Sequence, residues 1–98
     1  MKTYTICGSM RFEKEMIKIA YDLEAHNGYN ILQCVYAGQN TIPTNEERLR
    51  LANSHYRKID LSDGIYVVNI GGYIGEAVNK EISYAKKLGK EVIYHCNE

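Results

Sequence analysis

The stretch IYVVNIGG, residues 65–72, decides the fold of this chain. Its first five residues predict a strand whose centre is apolar without interruption. Such a run is typical of a strand that is covered on both faces, as in a parallel sheet. The two glycines that follow predict a turn, and a helix is predicted directly after it. We therefore expect residues 65–69 to belong to a parallel sheet flanked by helices.

Three more strands and three helices are predicted around this stretch. The other strands are residues 3–7, 30–35 and 91–96. The first helix covers residues 12–26, the second begins after Thr44 or Asn45, and the third covers residues 75–88. The second helix is expected to pack on the sheet through Leu49, Ala52, Tyr56 and Ile59. Strands and helices thus alternate, which implies parallel strands joined by right-handed crossovers.

The predicted fold is α/β and flavodoxin-like. We expect a three-layer sandwich with a four- or five-stranded parallel sheet in the order 2-1-3-4, formed by residues 1–98 as a single domain. In that order the strand sequence reverses between the first and third strands. Ligands of open α/β sheets bind at such a point, outside the carboxyl ends of the strands.

Composition narrows the classes of partner. The 98 residues include 12 basic and 12 acidic ones, so the chain lacks the basic footprint of a nucleic-acid binder. No apolar run is long enough for a membrane span, and no secretory signal is evident at the N-terminus. The three cysteines form no C-x-x-C pair, which suggests neither a disulfide framework nor a zinc site. We expect a soluble, cytoplasmic protein that binds neither membranes nor nucleic-acid polymers.

Two small-residue turns follow the first and third strands and are expected to meet. Residues 7–11, Cys-Gly-Ser-Met-Arg, supply backbone N–H groups and a hydroxyl, and Arg11 can clamp a phosphate. Residues 71–76 contain three glycines and open the third helix. An ordinary βα turn with an exposed arginine is the alternative for the first segment.

Glu81 lies in the early part of the third helix and can project toward the same space. A carboxylate at this position can attack an electrophilic sugar carbon, as in retaining glycosidases. The alternative is an exposed helix glutamate that pairs with Lys80 or Lys87. Glu76 is a rival carboxylate, with an end-charge role at the start of the helix.

Several of these segments resemble the nucleoside 2-deoxyribosyltransferase superfamily. The stretch ICGSMR, residues 6–11, resembles the opening loop of the 2'-deoxynucleoside 5'-phosphate N-hydrolases. Residues 62–68, residues 81–85 and the pair Gly89-Lys90 resemble the wider superfamily. Residues 73–76 and 55–60 are similar to small bacterial and phage proteins without an assigned activity.

The resemblance implies an enzyme that cleaves or transfers the N-glycosidic bond of deoxynucleosides or their 5'-monophosphates. Glu81 would be the nucleophile, and no metal or organic cofactor is expected. His55 stands where the family usually carries an aspartate, so it is the second catalytic candidate. The candidate substrate-binding residues are Cys7, Gly8, Ser9, Met10, Arg11, Asn69, Gly72, Tyr73 and Gly75.

Other functions stay open at this stage. Gly75 replaces a serine of the phosphohydrolases, and together with His55 this departure favours a non-catalytic module that binds or senses a nucleotide. A third possibility is a scaffold whose tyrosine-rich surface binds a protein. In the family, C-terminal residues or a second subunit often close the pocket, so a homodimer is expected. Tyr36 and Tyr73 are expected near the mouth, where a tyrosine can stack on a base.

Overall fold

The structure is a computed structural model that describes residues 1–38 and 40–96. Its strands and helices are, in chain order, β1 (Thr3–Gly8), α1 (Glu13–Ala25), β2 (Asn30–Leu32), α2 (Asn45–Asp60), β3 (Gly64–Val68), α3 (Glu76–Lys87) and β4 (Glu91–Tyr94). Short 3-10 turns at Met10–Phe12 and Ile70–Gly72 follow β1 and β3. Residue 39, in the loop predicted between β2 and α2, lies outside the described residues.

The described strands form one parallel sheet in the order β2-β1-β3-β4. This confirms the predicted flavodoxin-like α/β class and the order 2-1-3-4, with four strands. β1 and β3 are the central pair, and Gly8 at the end of β1 lies opposite Val68 at the end of β3. The segments that follow these two strands therefore leave the sheet side by side.

Alternation along β1 assigns each side chain to one of two cores. Tyr4 and Ile6 pack with Met16 and other residues of α1 on one face of the sheet. Cys7 belongs to the core of the opposite face, which α2 and α3 cover through Ile59 and Ile82. The helices thus form the two outer layers of a three-layer sandwich, and Cys7 points toward the layer that contains α2 and α3.

The predicted apolar stripe of α2 is only partly correct. Ile59 is buried as expected, but Leu49 is 62% exposed and Ala52 is also exposed. The buried side chains of this helix are His55 and Ile59. The N-terminal half of α2 does not pack on the sheet because part of it lines a cavity instead.

β2 is also shorter than the sequence predicts. Its pairing with β1 covers only Asn30, Ile31 and Leu32. Cys34 and Val35, which were expected in the strand, leave the sheet and line the same cavity.

The part of the chain that the structure describes contains no helix that is both long enough and apolar enough to cross a bilayer.

Candidate functional site

A cavity of about 650 Å³ lies at the carboxyl end of the sheet, between the segment after β1 and helices α2 and α3. This volume falls in the range of small-molecule sites. Its lining comes from four parts of the chain: Gly8, Ser9, Met10 and Glu13; Cys34, Val35, Ala37, Gly38 and Pro43; Arg48, Leu51, Ala52, Ser54, His55 and Lys58; and Gly75, Glu76, Ala77, Val78 and Glu81. The cavity therefore brings the bend after β1 together with the end of the second predicted segment, Gly75 and Glu76, whereas residues 71–74 are not part of its lining.

The first wall is the bend after β1. Ser9 caps the 3-10 turn, because its Oγ accepts a hydrogen bond from the backbone N–H of Arg11 at 3.4 Å. A Cβ on Gly8 would lie 2.7 Å from Sδ of Met16 and 3.2 Å from Cβ of Val68. Glycine at position 8 is therefore required by internal packing, in addition to the close approach to a ligand that the sequence suggested.

Glu81 lies in the second turn of α3 and lines the cavity. Its side chain is only 16% exposed, and its Oε1 lies 3.4 Å from Nε2 of His55. The alternative interpretation, an exposed glutamate paired with a lysine, is wrong for Lys80, which pairs with Glu76 at 3.6 Å. The carboxylate at position 81 is thus directed into the molecule and toward a histidine.

His55 connects the carboxylate to the buried thiol of Cys7. Its Nε2 lies 3.4 Å from Sγ of Cys7, and its side chain is 11% exposed. Burial disfavours the imidazolium and by itself lowers its pKa, but contacts with Cys34, Cys7 and Glu81 outweigh burial and raise the pKa of His55. The net effect of the cluster is to favour the protonated form of the imidazole.

Cys7 remains a thiol in this arrangement. Burial raises its pKa to about 12, against a smaller lowering by the hydrogen bond with His55. The carboxylate of Glu81 is one of the three neighbours, with Cys34 and Cys7, that raise the pKa of His55. The three side chains come from β1, α2 and α3, so the position of each depends on the packing of the whole domain.

Apart from Cys7, the structure places four of the predicted binding residues outside the cavity lining. The guanidinium of Arg11 lies over the ring of Tyr73, 3.8 Å from its centroid, and Tyr73 also packs edge-on against Phe12. Asn69 is buried and exchanges two hydrogen bonds with the backbone of Cys96, at 2.8 and 3.0 Å. Gly72 belongs to the 3-10 turn after β3, with a φ of 81° that favours glycine.

Of the remaining candidates, Gly8, Ser9, Met10 and Gly75 line the cavity, and Cys7 lies against His55, one of its lining residues. Tyr36, expected at the mouth, instead packs against the core that contains α1.

Sequence reasoning identified His55 on α2 but missed the other residues with which this helix lines the cavity. Arg48, Leu51, His55 and Lys58 line the cavity at a spacing of 0, 3, 7 and 10 residues, which marks one face of a helix. This face lies next to the stripe that was expected to pack on the sheet. The spacing was visible in the sequence, but the apolar stripe beside it was the stronger signal.

The chain was compared with family models, with curated proteins and with solved structures, and none of the three comparisons finds a match.

Proposed function

We propose that the protein cleaves or transfers the N-glycosidic bond of deoxynucleosides or their 5'-monophosphates. The observation that carries the proposal is the position of Glu81, which shares one cavity with the Gly8–Met10 bend and lies 3.4 Å from His55. A partly buried carboxylate beside a small-molecule cavity is the group that nucleophilic displacement at a sugar carbon requires. The resemblance of residues 6–11 and 81–85 to the deoxyribosyltransferase superfamily supports the same chemistry.

The proposed reaction proceeds in two steps. A carboxylate oxygen of Glu81 attacks C1' of the deoxyribose, and the C1'–N bond breaks with its electron pair leaving on the base, which takes a proton from solvent. Water, or a second base, then attacks C1' of the glycosyl ester and loses a proton to solvent, while the C1'–O bond to Glu81 breaks and releases the carboxylate. Water gives hydrolysis and a base gives transfer.

His55 acts as a positioning residue in this scheme. Its protonated Nε2 contacts Oε1 of Glu81, which fixes the orientation of the carboxylate and leaves Oε2 as the attacking atom. The bend after β1 holds the sugar or its 5'-phosphate. Arg48 and Lys58 also line the cavity, and their charges suit an anionic substituent.

Base release tests the proposal directly. The protein is incubated with each of the four deoxynucleosides and their monophosphates, and free base is measured by chromatography. We expect release by the wild type and loss of release in Glu81→Gln. Glu76→Gln is the matched control, since Glu76 lines the same cavity but pairs with Lys80 at the surface, and it should retain activity. Base release that survives in Glu81→Gln removes Glu81 from the mechanism.

A non-catalytic nucleotide-binding module is the second candidate. It is favoured by the direct contact of Glu81 with His55, which engages one oxygen of the proposed nucleophile. This candidate predicts saturable stabilisation by nucleotides without base release. A ligand at 100 times its Kd should raise the free energy of unfolding by about 2.7 kcal/mol, which thermal denaturation detects readily. Release of base from any of the tested compounds contradicts it.

The proposal includes a homodimer in the cytoplasm. The cavity is open on one side, and a chain of 98 residues has little wall with which to enclose a nucleotide. A second copy would supply that wall.

A further inference from the structure

Three metal-ligating atoms converge where β1, α2 and α3 meet. Sγ of Cys7, Nε2 of His55 and a carboxylate oxygen of Glu81 all lie within 4.8 Å of one another. His55 and Glu81 line the cavity, while Cys7 is fully buried against His55. The cluster therefore combines a thiol, an imidazole and a carboxylate at the edge of a space that can admit a further ligand.

Two of the three donor separations are close to those around a tetrahedral zinc ion, and the third, between Sγ of Cys7 and the carboxylate oxygen of Glu81, is within 4.8 Å. Zn–S bonds of about 2.3 Å and Zn–N or Zn–O bonds of about 2.0–2.1 Å place tetrahedral S and N ligands about 3.6 Å apart, and N and O ligands about 3.4 Å apart. Here Sγ of Cys7 and Oε1 of Glu81 both lie 3.4 Å from Nε2 of His55. Small side-chain movements would place all three donor atoms at bonding distance from one ion.

The same geometry argues against a nucleophilic thiol triad. In such a triad the imidazole contacts the nucleophile through one nitrogen and the orienting carboxylate through the other. His55 instead presents Nε2 to both Cys7 and Glu81. A cation placed between these three side chains would interact favourably with the nitrogen and with both potentially anionic groups.

We propose that Cys7, His55 and Glu81 form a binding site for a thiophilic divalent cation, with Zn²⁺ the best match to the donor set. Sulfur and imidazole ligands favour zinc over magnesium or calcium. A thiolate and a carboxylate together neutralise the two charges of the ion, and coordination displaces two protons to solvent, one from the thiol of Cys7 and one from Nε2 of His55. The fourth position faces the cavity and is filled by water or by a cavity ligand.

This inference goes beyond glycosidic chemistry, because binding of the ion requires no nucleoside. If both proposals hold, the ion binds the same Glu81 carboxylate that attacks C1', so Zn²⁺ should inhibit base release. The site is then an inhibitory one rather than part of the reaction.

Cobalt titration of the chelator-treated wild-type protein is the first test. Co²⁺ substitutes for Zn²⁺ and reports thiolate coordination through a sulfur-to-cobalt charge-transfer band in the near ultraviolet. We expect one ion per chain with this band. Cys7→Ser should abolish the band, and His55→Gln and Glu81→Gln should each weaken binding at least about tenfold.

Cys96→Ser is the matched control for loss of a thiol. Cys96 lies beyond β4, and its backbone makes the two hydrogen bonds with Asn69, so the variant should keep them and bind Co²⁺ like the wild type. A band that persists in Cys7→Ser, or that disappears in Cys96→Ser, overturns the assignment.

X-ray absorption of the zinc-loaded wild type tests the site without any variant. We expect a first shell with one sulfur scatterer and nitrogen or oxygen scatterers. A shell of oxygen alone, or the absence of binding in the titration, overturns the proposal. Because these measurements contain no nucleoside, their failure is distinguishable from the failure of the base-release assay.

Discussion

At the scale of single residues, the site is built around His55 and the titratable side chains that surround it. Cys7, Cys34 and Glu81 are the titratable groups that contact His55. An uncompensated buried charge is costly, so the imidazolium and the carboxylate at 3.4 Å depend on each other. This dependence gives the site a measurable effect on stability.

The raised pKa of His55 predicts that stability falls as the pH rises. The unfolded histidine loses its proton near pH 6.5, whereas the folded state retains it to higher pH. The contribution of His55 to the free energy of unfolding is therefore complete below about pH 6.5 and is lost progressively above it. Between about pH 6.5 and 8.5 the free energy of unfolding should decrease by at most about 1.4 kcal/mol per pH unit from this group. Urea denaturation of the wild type and of His55→Gln measures the effect.

The difference between the two proteins isolates His55 from other groups. The pH range of this comparison ends near the ordinary pKa of a thiol. Above that pH, the raised pKa of Cys7 also lowers the free energy of unfolding as the pH rises. A wild-type curve that runs parallel to that of His55→Gln between about pH 6.5 and 8.5 contradicts a protonated His55.

At the scale of elements, one face of α2 lines the cavity, and the N-terminus of the helix is fixed by a capping box. Oγ1 of Thr44 accepts from the backbone N–H of Glu47 at 3.1 Å, and the Glu47 carboxylate accepts from the backbone N–H of Thr44 at 2.8 Å. This capping box satisfies two backbone groups at the exposed end of the helix. Because the first turns of α2 pack little on the sheet, the cap is expected to stabilise them.

Thr44→Ala should lower the free energy of unfolding by about 1 kcal/mol, within the usual range of about 0.5–2 kcal/mol for the loss of a cap. Urea denaturation measures the change. Thr41→Ala makes the same substitution in the preceding loop and should change stability by less than about 0.5 kcal/mol. Equal effects of the two substitutions would show that the cap contributes nothing specific.

Most of the fold follows from local sequence patterns, whereas much of the site depends on packing. The alternation of strands and helices and the apolar centre of residues 65–69 predict the sheet and its order correctly. The contact between Cys7 and His55 could not be predicted, because it joins residues 48 positions apart whose types also suit a core. Arg11 carried a phosphate-binding signal, but its side chain stacks on Tyr73, and no local pattern distinguishes the two outcomes.

At the scale of the whole molecule, the strand order places the site. Because β1 and β3 are adjacent, the bend after β1 and the start of α3 lie at the same edge of the sheet. Helix α2 packs in the same layer as α3. Val35 and Leu51 line the cavity, yet they remain 63% and 37% exposed. Exposed apolar side chains around a cavity are consistent with a surface that a second copy covers.

Light scattering should therefore give a dimer of the 11.2 kDa chain. Leu51→Glu places a charge in the proposed interface and should shift the population toward monomers. Ile17→Glu is the control, since Ile17 is similarly exposed but lies on α1, in the opposite layer. A wild type that stays monomeric at all accessible concentrations contradicts the dimer.

The central claim is that the Glu81 carboxylate forms a covalent bond to the sugar. Mass spectrometry of the protein quenched during turnover with a deoxynucleoside or its monophosphate tests this claim most directly. The account predicts a deoxyribosyl or deoxyribosyl-phosphate adduct on the peptide that contains Glu81, and its loss in Glu81→Gln. Base release without an adduct on that peptide, or an adduct on another residue, would contradict it.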